Sequence, residues 1–341
     1  MKVLIVGGTG FIGSHVTRRL LDAGHDVLNF HRGLQHLDLP KPMLLEILGD
    51  RKDLESFRRD FEQFGPEVVV DMIPMTENDA RSLMTTFTGI AKRLVVISSA
   101  DVYRNYELLR GLVSAEPCPG SITESSPLRE HLFPYRAQAR DSSDVFYNYE
   151  KILVERVVTS SPALPATVLR LPCVYGPGDS KHRLFPYLKR MDDQRPAILL
   201  EKGQVLWRWT RGYVENVAAA ICWGLGDQSA VSRIYNVGEP YGLSEKAWIQ
   251  SIGDSAGWTG KIIGLEPAGL PKAMRSGLAW EHQLETDTSL IRSQSSFSEP
   301  VPYREGLNRT IAWERENPPI KVNPQDFDYE MEDRVLALLA L

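Results

Sequence analysis

Tyr147 and Lys151 are four positions apart in a stretch with helical periodicity, residues 143 to 159. Side chains at this spacing share one face of a helix, which would put an ammonium group beside a phenol. The phenol of tyrosine has a pKa of about 10, and a neighbouring positive charge favours its ionised form. The pair could therefore transfer a proton at neutral pH. By itself, the spacing also fits a partly buried tyrosine covered by the lysine stem.

The apolar run from Arg93 to Ser98 predicts a strand, and Ser99 follows it directly. Ligands of open parallel sheets bind outside the carboxyl ends of the strands. A serine hydroxyl at this place can bind a substrate oxygen and stabilise the negative charge that develops there. The alternative is that the two serines only cap the end of the strand.

The stretch Gly-Gly-Thr-Gly-Phe-Ile-Gly at residues 7 to 13 lies between an apolar strand and a helical pattern. Gly7, Gly10 and Gly13 would permit a tight turn and a close approach of the backbone, so that a pyrophosphate can bind at the helix N-terminus. We predict a dinucleotide site here, with Phe11 and Ile12 as part of it. A glycine-rich turn without a ligand is the alternative.

The end of the second strand indicates which dinucleotide binds. His31-Arg32-Gly33 contains no carboxylate for the ribose 2′-hydroxyl of NAD, whereas an arginine suits the 2′-phosphate of NADP. We therefore predict NADP(H) rather than NAD(H), with His31 and Arg32 at the ribose; a solvated surface arginine is the alternative. Asp50 and Arg51 follow the third strand and are expected beside the adenine, unless Asp50 caps a turn.

The elements that must position these residues alternate as strand, helix, strand. The strand-like runs are 2–6, 26–30, 44–48, 67–71, 93–98 and 166–171, and the helical patterns are 11–23, 53–64 and 143–159. This order predicts an α/β fold, a Rossmann doubly wound parallel sheet with a smaller, discontinuous C-terminal substrate domain. The aperiodic stretch from 104 to 141 is expected to be a functional loop or cap over the site.

The predicted domain bounds follow from the same pattern. The dinucleotide-binding domain comprises residues 1–172 and, as a second segment, roughly 208–236. The substrate domain comprises residues 173–207 and 237–317. Residues 318–341 are predicted to be a C-terminal tail with a helix from Asp328 onward.

Composition excludes several classes of protein. The chain has 341 residues, 43% hydrophobic and 24% charged, so it is neither disordered nor fibrous. Its apolar runs span only a few residues; we expect no membrane span, no secretory signal and a cytoplasmic location. Three widely spaced cysteines are expected to be reduced thiols, with no bound metal. A formal net charge of -5 argues against nucleic acid as a partner and leaves a small-molecule substrate.

Taken together, these residues resemble the extended short-chain dehydrogenase/reductases, the branch called the NAD-dependent epimerase/dehydratase family. The resemblance covers most of the chain and depends on residues 7–13, Gly-Asp-Arg at 49–51, Ser-Ser-Ala-Asp-Val-Tyr at 98–103, Tyr147 with Lys151, and Val-Tyr-Gly-Pro-Gly at 174–178. It implies that Ser99 orients the substrate, that Tyr147 is the acid/base, and that Lys151 holds the nicotinamide ribose and lowers the pKa of the tyrosine. Dimers through a pair of helices are common in this family, which makes a homodimer a candidate assembly.

Two departures from the family's pattern affect the substrate site. Cys173 stands where the nucleotide-sugar epimerases commonly have an asparagine, and Trp209 stands where they have an arginine that binds the substrate diphosphate. If this stretch is a strand, Trp207, Trp209 and Arg211 share one face, and Arg211 could supply the charge from roughly 7 Å away. The two tryptophans could stack on a planar substrate or pack between the domains. Cys173, Trp209 and Arg211 are therefore the candidate substrate contacts, together with Ser99.

Three functions fit these residues. The first is an NADP(H)-dependent oxidoreductase that reduces a carbonyl or oxidises a secondary alcohol, favoured by His31, Cys173 and Trp209. The second is a nucleotide-sugar epimerase or dehydratase with a retained cofactor, favoured by the resemblance. The third is a noncatalytic NAD(P)- or RNA-binding protein, since plastid RNA-binding relatives share a Gly-Asp-Arg-Lys-Asp stretch like residues 49–53; the serine, tyrosine and lysine speak against it.

Overall fold

The apolar runs of the N-terminal half form the strands of one sheet. The computed structural model describes residues 1–34, 44–227, 230–294 and 297–339. Its strands are β1 (Lys2–Val6), β2 (Asp26–His31), β3 (Leu44–Leu48), β4 (Val68–Asp71), β5 (Arg93–Ser99), β6 (Ala166–Leu171), β7 (Cys173–Tyr175), β8 (Ala197–Glu201), β9 (Arg208–Trp209), β10 (Arg211–Tyr213), β11 (Ile234–Asn236), β12 (Leu243–Ser244) and β13 (Lys261–Leu265). Its α-helices are α1 (Phe11–Asp22), α2 (Arg58–Phe64), α3 (Glu77–Phe87), α4 (Asn105–Leu109), α5 (Lys151–Val158), α6 (Phe185–Asp192), α7 (Lys202–Leu206), α8 (Val214–Gly226), α9 (Glu245–Ala256), α10 (Ser289–Ser293), α11 (Tyr303–Glu316) and α12 (Tyr329–Leu338).

Seven strands form the central sheet in the order β11-β6-β5-β4-β1-β2-β3, and each pairing is parallel. The chain runs from β1 to one edge through β2 and β3, and then to the other edge from β4 onward. The carboxyl ends of β1 and β4 therefore adjoin where the strand order reverses, which is where ligands bind in sheets of this kind. The predicted doubly wound α/β fold is confirmed.

Helices cover both faces of the sheet because its strands are apolar on both sides. Val3 and Ile5 of β1 point to the core shared with α1 and α8, whereas Leu4 and Val6 point to the core shared with α2, α3 and α5. This alternation follows from the period of two along a strand. The sheet is thereby a rigid base for the loops at its carboxyl edge.

The segment after β10 returns to the central sheet. Helix α8 packs on α1 in one of the two main cores, and β11 pairs with β6. The rest of the C-terminal half contains the pairs β8 with β13, and β9 with β12. Strands β9 and β10 are separate, so the strand considered for residues 207–213 is interrupted at Thr210. The domain bounds themselves stay a prediction.

The helix predicted for residues 143 to 159 was wrong in its first half. Helix α5 begins at Lys151, and Glu150 before it is extended, with φ -160 and ψ 97. The buried Glu150 carboxylate accepts hydrogen bonds from the amide of Ile152 (2.9 Å), the amide of Phe133 (2.7 Å) and the guanidinium of Arg129 (2.9 Å). These contacts fix the chain direction just before the helix. Tyr147 and Lys151 therefore do not share a helical face.

Three other predicted segments were tested by the structure. The pattern over residues 53–64 forms a 3-10 helix, Arg51–Phe57, followed by α2. The stretch from 104 to 141 contains α4 and a short 3-10 helix, Arg136–Gln138. The terminal helix is confirmed as α12, capped by the Asp328 carboxylate on the amide of Met331 (3.0 Å). Within the described ranges, no helix is long and apolar enough to cross a membrane.

Candidate active site

The loop between β1 and α1 is rich in glycine because the backbone packs closely on itself there. Gly7 has a φ of 86, in the left-handed region. A Cβ on Gly13 would lie 2.4 Å from the carbonyl oxygen of Gly7, whereas a Cβ on Gly10 would meet only that same oxygen, at 3.9 Å. Gly10 is the N-cap of α1, so the loop presents the N-terminus of a 12-residue helix to an anion.

A cleft of about 1040 Å³ opens in front of this loop. The residues predicted for the cofactor that line it are Gly7, Gly10, His31, Arg32, Asp50 and Arg51. Phe11 and Ile12 pack instead against the core beside α8, and Gly13 lies beneath the loop. The cleft, the free space at Gly10 and the exposed helix terminus together fit a dinucleotide.

Sequence reasoning missed part of the lining of this cleft. Thr76, Asn78 and Asp79 line it from the start of α3, and residues 142–145 line it from the turns before α5. The Thr76 hydroxyl and the Asp79 carboxylate form a reciprocal cap at the start of α3. The spacing of Thr76 and Asp79 is the sequence signal for this helix start.

The end of β2 places one positive charge at the cleft. The buried ring of His31 accepts a hydrogen bond at Nδ1 from the amide of Gly33 (3.1 Å), so its other nitrogen bears the proton and faces Glu46 Oε1 at 3.2 Å. Arg32 is exposed and lines the cleft. His31 is therefore a fixed part of the wall, while the Arg32 side chain is accessible to a ligand.

Arg51 and Asp50 have structural contacts at the place predicted for the adenine. The Arg51 guanidinium is buried and donates two hydrogen bonds to Asp71, of 2.6 and 2.7 Å, and it lies 2.9 Å from Asp79. The Asp50 carboxylate accepts a hydrogen bond from the amide of Lys52 (2.9 Å). Asp50 therefore caps a turn, which was the alternative to a contact with the adenine. The charge of Arg51 is thus neutralised by protein groups.

Ser99 and Lys151 lie at the carboxyl end of β5. The buried Lys151 ammonium donates hydrogen bonds to the carbonyls of Pro74 (2.8 Å) and Ile97 (3.0 Å), and burial lowers its pKa to about 8. The Ser99 hydroxyl accepts a hydrogen bond from the amide of Asp101 (3.2 Å). Ser99 therefore caps the short 3-10 helix Ala100–Val102, whereas the Ser98 hydroxyl donates to Glu155 Oε1 at 2.5 Å. The substrate contact of Ser99 stays a prediction.

The tyrosine that lies with these two residues is Tyr149. Its hydroxyl donates to Asp101 Oδ2 at 2.8 Å, and its ring centre is 5.9 Å from the Lys151 ammonium. Burial, assisted by the charge of Asp101, raises the pKa of Tyr149 well above its usual value. Tyr135 donates to the same carboxylate oxygen at 2.9 Å.

Tyr147 lies apart from this group. Its ring packs under the guanidinium of Arg136 at 4.8 Å, and Arg136 Nε donates to the carbonyl of Tyr147 at 2.9 Å. Sequence reasoning therefore missed Tyr149 and Asp101. The sequence held no local signal for this, because glutamate is a good helix former and Glu150 becomes the N-cap of α5 through its contact with the distant Arg129.

The predicted substrate contacts lie together on neighbouring strands. Cys173 on β7 and Arg211 on β10 are partners in the strand register, and both are buried. Arg211 donates to Glu245 at 2.5 Å, and its guanidinium lies 5.4 Å from the ring centre of Trp209 and 4.5 Å from that of Trp248. The charge of Arg211 is therefore already paired inside the protein.

The two tryptophans differ in their surroundings. Trp207 is buried, and its indole nitrogen donates to the carbonyl of His282 at 3.0 Å. Trp209 is partly exposed, and its indole nitrogen donates to the Tyr106 hydroxyl at 3.3 Å. Packing in the core is thus the role of Trp207, while Trp209 keeps an accessible face.

Comparison with known families assigns the chain to a class. The NAD dependent epimerase/dehydratase family matches residues 3–238, and the chain belongs to this family. It is accordingly an enzyme of the short-chain dehydrogenase/reductase type with a site for a nicotinamide dinucleotide.

Individual relatives are distant. The chain is 23% identical to the dTDP-glucose 4,6-dehydratase of Neisseria meningitidis serogroup B, over 97% of this chain and 98% of that protein. It is 24% identical to the chloroplast stem-loop binding protein of 41 kDa b of Arabidopsis thaliana, over 70% of this chain and 59% of that protein. Among solved structures, UDP-glucose 4-epimerase of Thermus thermophilus in complex with NAD has a TM-score of 0.66 at 19% identity, covering 93% of this chain and 100% of that one. That likeness shows a common fold.

Proposed function

We propose that the protein is an NADP(H)-dependent oxidoreductase that acts at a carbonyl or secondary-alcohol carbon. The observation that supports this proposal is the grouping of Ser99, a tyrosine and Lys151 at the carboxyl end of β5, on the same sheet edge as the glycine loop. A bound nicotinamide supplies or accepts the hydride. Ser99 binds the substrate oxygen, the tyrosine gives or takes the proton, and the Lys151 ammonium holds the ribose.

The preference for NADP(H) is supported by the end of β2. Arg32 is exposed at the cleft, and His31 occupies the place where an acidic residue would bind the 2′-hydroxyl of NAD. Hydrogen bonds with Gly33 and Glu46 fix the His31 ring. The ring therefore stays at the place where an acidic residue would otherwise bind the ribose. A 2′-phosphate beside Arg32 would form charge-assisted hydrogen bonds.

The experiment that tests the proposal asks which nucleotide the protein holds and binds. The purified protein is denatured, any released nucleotide is identified by mass, and the emptied protein is titrated with NADPH and NADH. We expect no stoichiometric nucleotide, and a lower Kd for NADPH than for NADH. Failure to bind either nucleotide would overturn the proposal.

A nucleotide-sugar epimerase or dehydratase with retained NAD(P) is the second candidate. It is supported by the family and by the printed activities of the Neisseria and Thermus relatives. The pairing of Arg211 with Glu245 opposes it, because a diphosphate needs an available positive charge. Stoichiometric NAD released on denaturation, together with thermal stabilisation by UDP-glucose or dTDP-glucose, would favour this candidate over the first.

Location and assembly complete the proposal. We propose a cytoplasmic homodimer that binds no nucleic acid, on the basis of the family resemblance and of the formal net charge of -5. Sedimentation equilibrium tests the dimer. Retention of a stem-loop RNA at physiological salt would instead support a role like the one that the Arabidopsis relative is named for.

A further inference from the structure

We infer that Tyr149, rather than Tyr147, exchanges the proton with the substrate oxygen. This inference rests on the proposed function and names the acid/base of that site. The two tyrosines are separated by one residue, and Tyr147 is the one at the spacing expected of the family. The contacts of the folded chain distinguish them.

Only one of these two hydroxyls meets the other members of the group. The Tyr149 hydroxyl donates to Asp101, the amide of Asp101 donates to the Ser99 hydroxyl, and the Lys151 ammonium lies 5.9 Å from the Tyr149 ring centre. The Tyr147 ring is stacked on Arg136 in the turns before α5. Ser99 is the hydroxyl assigned to the substrate oxygen, so a tyrosine that shares Asp101 with Ser99 lies on the side of the site where that oxygen would bind.

Glu150 prevents Tyr147 from taking the same place. For Tyr147 to lie one helical turn before Lys151, residue 150 would have to become helical, whereas it is extended and its amide donates to the carbonyl of Met75 at 2.9 Å. Its carboxylate is fully buried against Arg129, which also bonds the carbonyl of Asp101. A helical residue 150 would pull this carboxylate away from a buried guanidinium and two amides, which is strongly unfavourable.

In the reducing direction, Tyr149 gives its hydroxyl proton to the substrate oxygen. The carbonyl carbon gains the hydride, the electrons of the carbon–oxygen π bond move to oxygen, and that oxygen forms a bond to the Tyr149 proton. A bound nicotinamide would supply the hydride and its two electrons, so that the substrate becomes an alcohol, and the Tyr149 phenolate regains a proton from water. Ser99 donates a second hydrogen bond to the oxygen as its negative charge develops.

Asp101 keeps Tyr149 protonated between turnovers and makes release of its proton harder. Its carboxylate accepts from both Tyr149 and Tyr135, so it stabilises the protonated phenol and opposes a second negative charge. A tyrosine that stays protonated at neutral pH can donate to a developing alkoxide but is a poor base. Among the described residues, Asp101 Oδ1 is buried without a hydrogen-bond partner, so it can accept one from a substrate hydroxyl or a water molecule.

The test uses the full chain labelled with carbon-13 at the tyrosine Cζ atoms. Signals are assigned with Tyr149→Phe and Tyr147→Phe, and spectra are recorded with saturating NADP+ and with saturating NADPH. The two cofactors differ by the positive charge of the nicotinamide, so the difference between the spectra identifies the tyrosine nearest to it. We expect the largest difference at Tyr149 and little at Tyr147. A larger difference at Tyr147, or none at either residue, would overturn the inference.

Binding and turnover measured on the same variants separate this inference from the proposed function. If neither cofactor binds the wild-type protein, the proposed function itself fails and the inference fails with it. If both bind, we expect Tyr149→Phe to lower kcat about 100-fold or more, typical of a lost general acid, with the Kd for NADPH within twofold. Tyr147→Phe should lower kcat less than about fivefold, because this substitution removes no general acid from the group. Tyr241→Phe, on the exposed surface, is the matched control. The reverse order of the Tyr149 and Tyr147 effects would contradict the inference.

Discussion

Two glycines of one loop have different reasons to be glycine. Gly13 is fixed by packing, since its missing side chain leaves room for the carbonyl of Gly7 and for the backbone of Gly8. Gly10 has open space around its Cβ position and lines the cleft, so its missing side chain leaves room for a ligand. The same motif therefore contains one glycine set by packing and one that is open to the cleft.

Alanine substitutions separate these two roles. Gly13→Ala would put a Cβ 2.4 Å from the Gly7 oxygen, and we expect a loss of about 1–3 kcal/mol in the free energy of unfolding together with loss of NADPH binding. Gly10→Ala should leave the free energy of unfolding within about 0.5 kcal/mol but weaken NADPH, since the new methyl group faces the ligand. Urea denaturation and NADPH fluorescence titration measure both quantities. Equal destabilisation by the two substitutions would show that the space at Gly10 is needed for folding.

Arg32 provides a residue-level test of cofactor choice. We expect Arg32→Ala to weaken NADPH by about 1.5–3 kcal/mol, the strength of hydrogen bonds to charged groups, and to change NADH little. Fluorescence titrations of both cofactors measure this difference. Arg59→Ala, another exposed arginine outside the cleft lining, is the control and should change neither. Equal losses for NADPH and NADH would show that Arg32 does not contact the 2′-phosphate.

At the level of elements, the parts that are predictable from sequence are those with local causes. The strands follow from short apolar runs, and α1 follows from the helical pattern after the glycines of residues 7–13. The predicted bounds of β1, β3 and β6 are confirmed. The start of α5 was not predictable in this way. It depends on Arg129, which is distant in sequence and holds Glu150 in an extended conformation. The same contact determines which tyrosine lies near Ser99 and Lys151, so the wrong helix start placed Tyr147 instead of Tyr149 beside them, while the acid/base role of Tyr147 stays an untested prediction.

The Arg129–Glu150 pair should be important for stability because both side chains are almost fully buried. Arg129→Met leaves the Glu150 carboxylate buried without its counter-charge, and we expect a loss of about 3–5 kcal/mol in the free energy of unfolding. The more exposed pair of Arg104 and Glu130 is the comparison, and Arg104→Met should cost less than about 1 kcal/mol. Urea unfolding of the two variants measures both values. A loss at Arg129 as small as that at Arg104 would mean that the start of α5 is held by its amide contacts alone.

At the level of the whole molecule, Glu239 joins three segments that are far apart in sequence. It follows β11 of the central sheet, its amide donates to the carbonyl of Arg211 at 2.8 Å, and its carboxylate accepts from the amide of Tyr213 at 3.1 Å. Its carbonyl accepts from the Thr288 hydroxyl at 3.0 Å, just before α10. A carboxyl group at this junction is buried, so its ionisation affects the stability of the molecule.

Stability should therefore fall as pH rises across the range in which Glu239 ionises. Burial raises the pKa of Glu239 to about 7; the charge of Glu299 adds to this effect and that of Arg292 opposes it. In the unfolded chain a glutamate has a pKa of about 4.3, so between these two values the folded state holds a proton that the unfolded state has lost. The contribution of the protonated group is complete below about pH 4.3 and is lost as pH rises to about 7.

Glu239→Gln tests this linkage because glutamine stays neutral and keeps a carbonyl oxygen for the amide of Tyr213. Relative to the wild type, the variant should gain up to roughly 3 kcal/mol in the free energy of unfolding on going from pH 4.5 to pH 8. Urea unfolding of both proteins at the two pH values measures this gain. Glu116→Gln, on the exposed surface, should show no such change. If the difference between wild type and Glu239→Gln were the same at both pH values, Glu239 would be ionised throughout, and the contacts of its charged form would outweigh the cost of its burial.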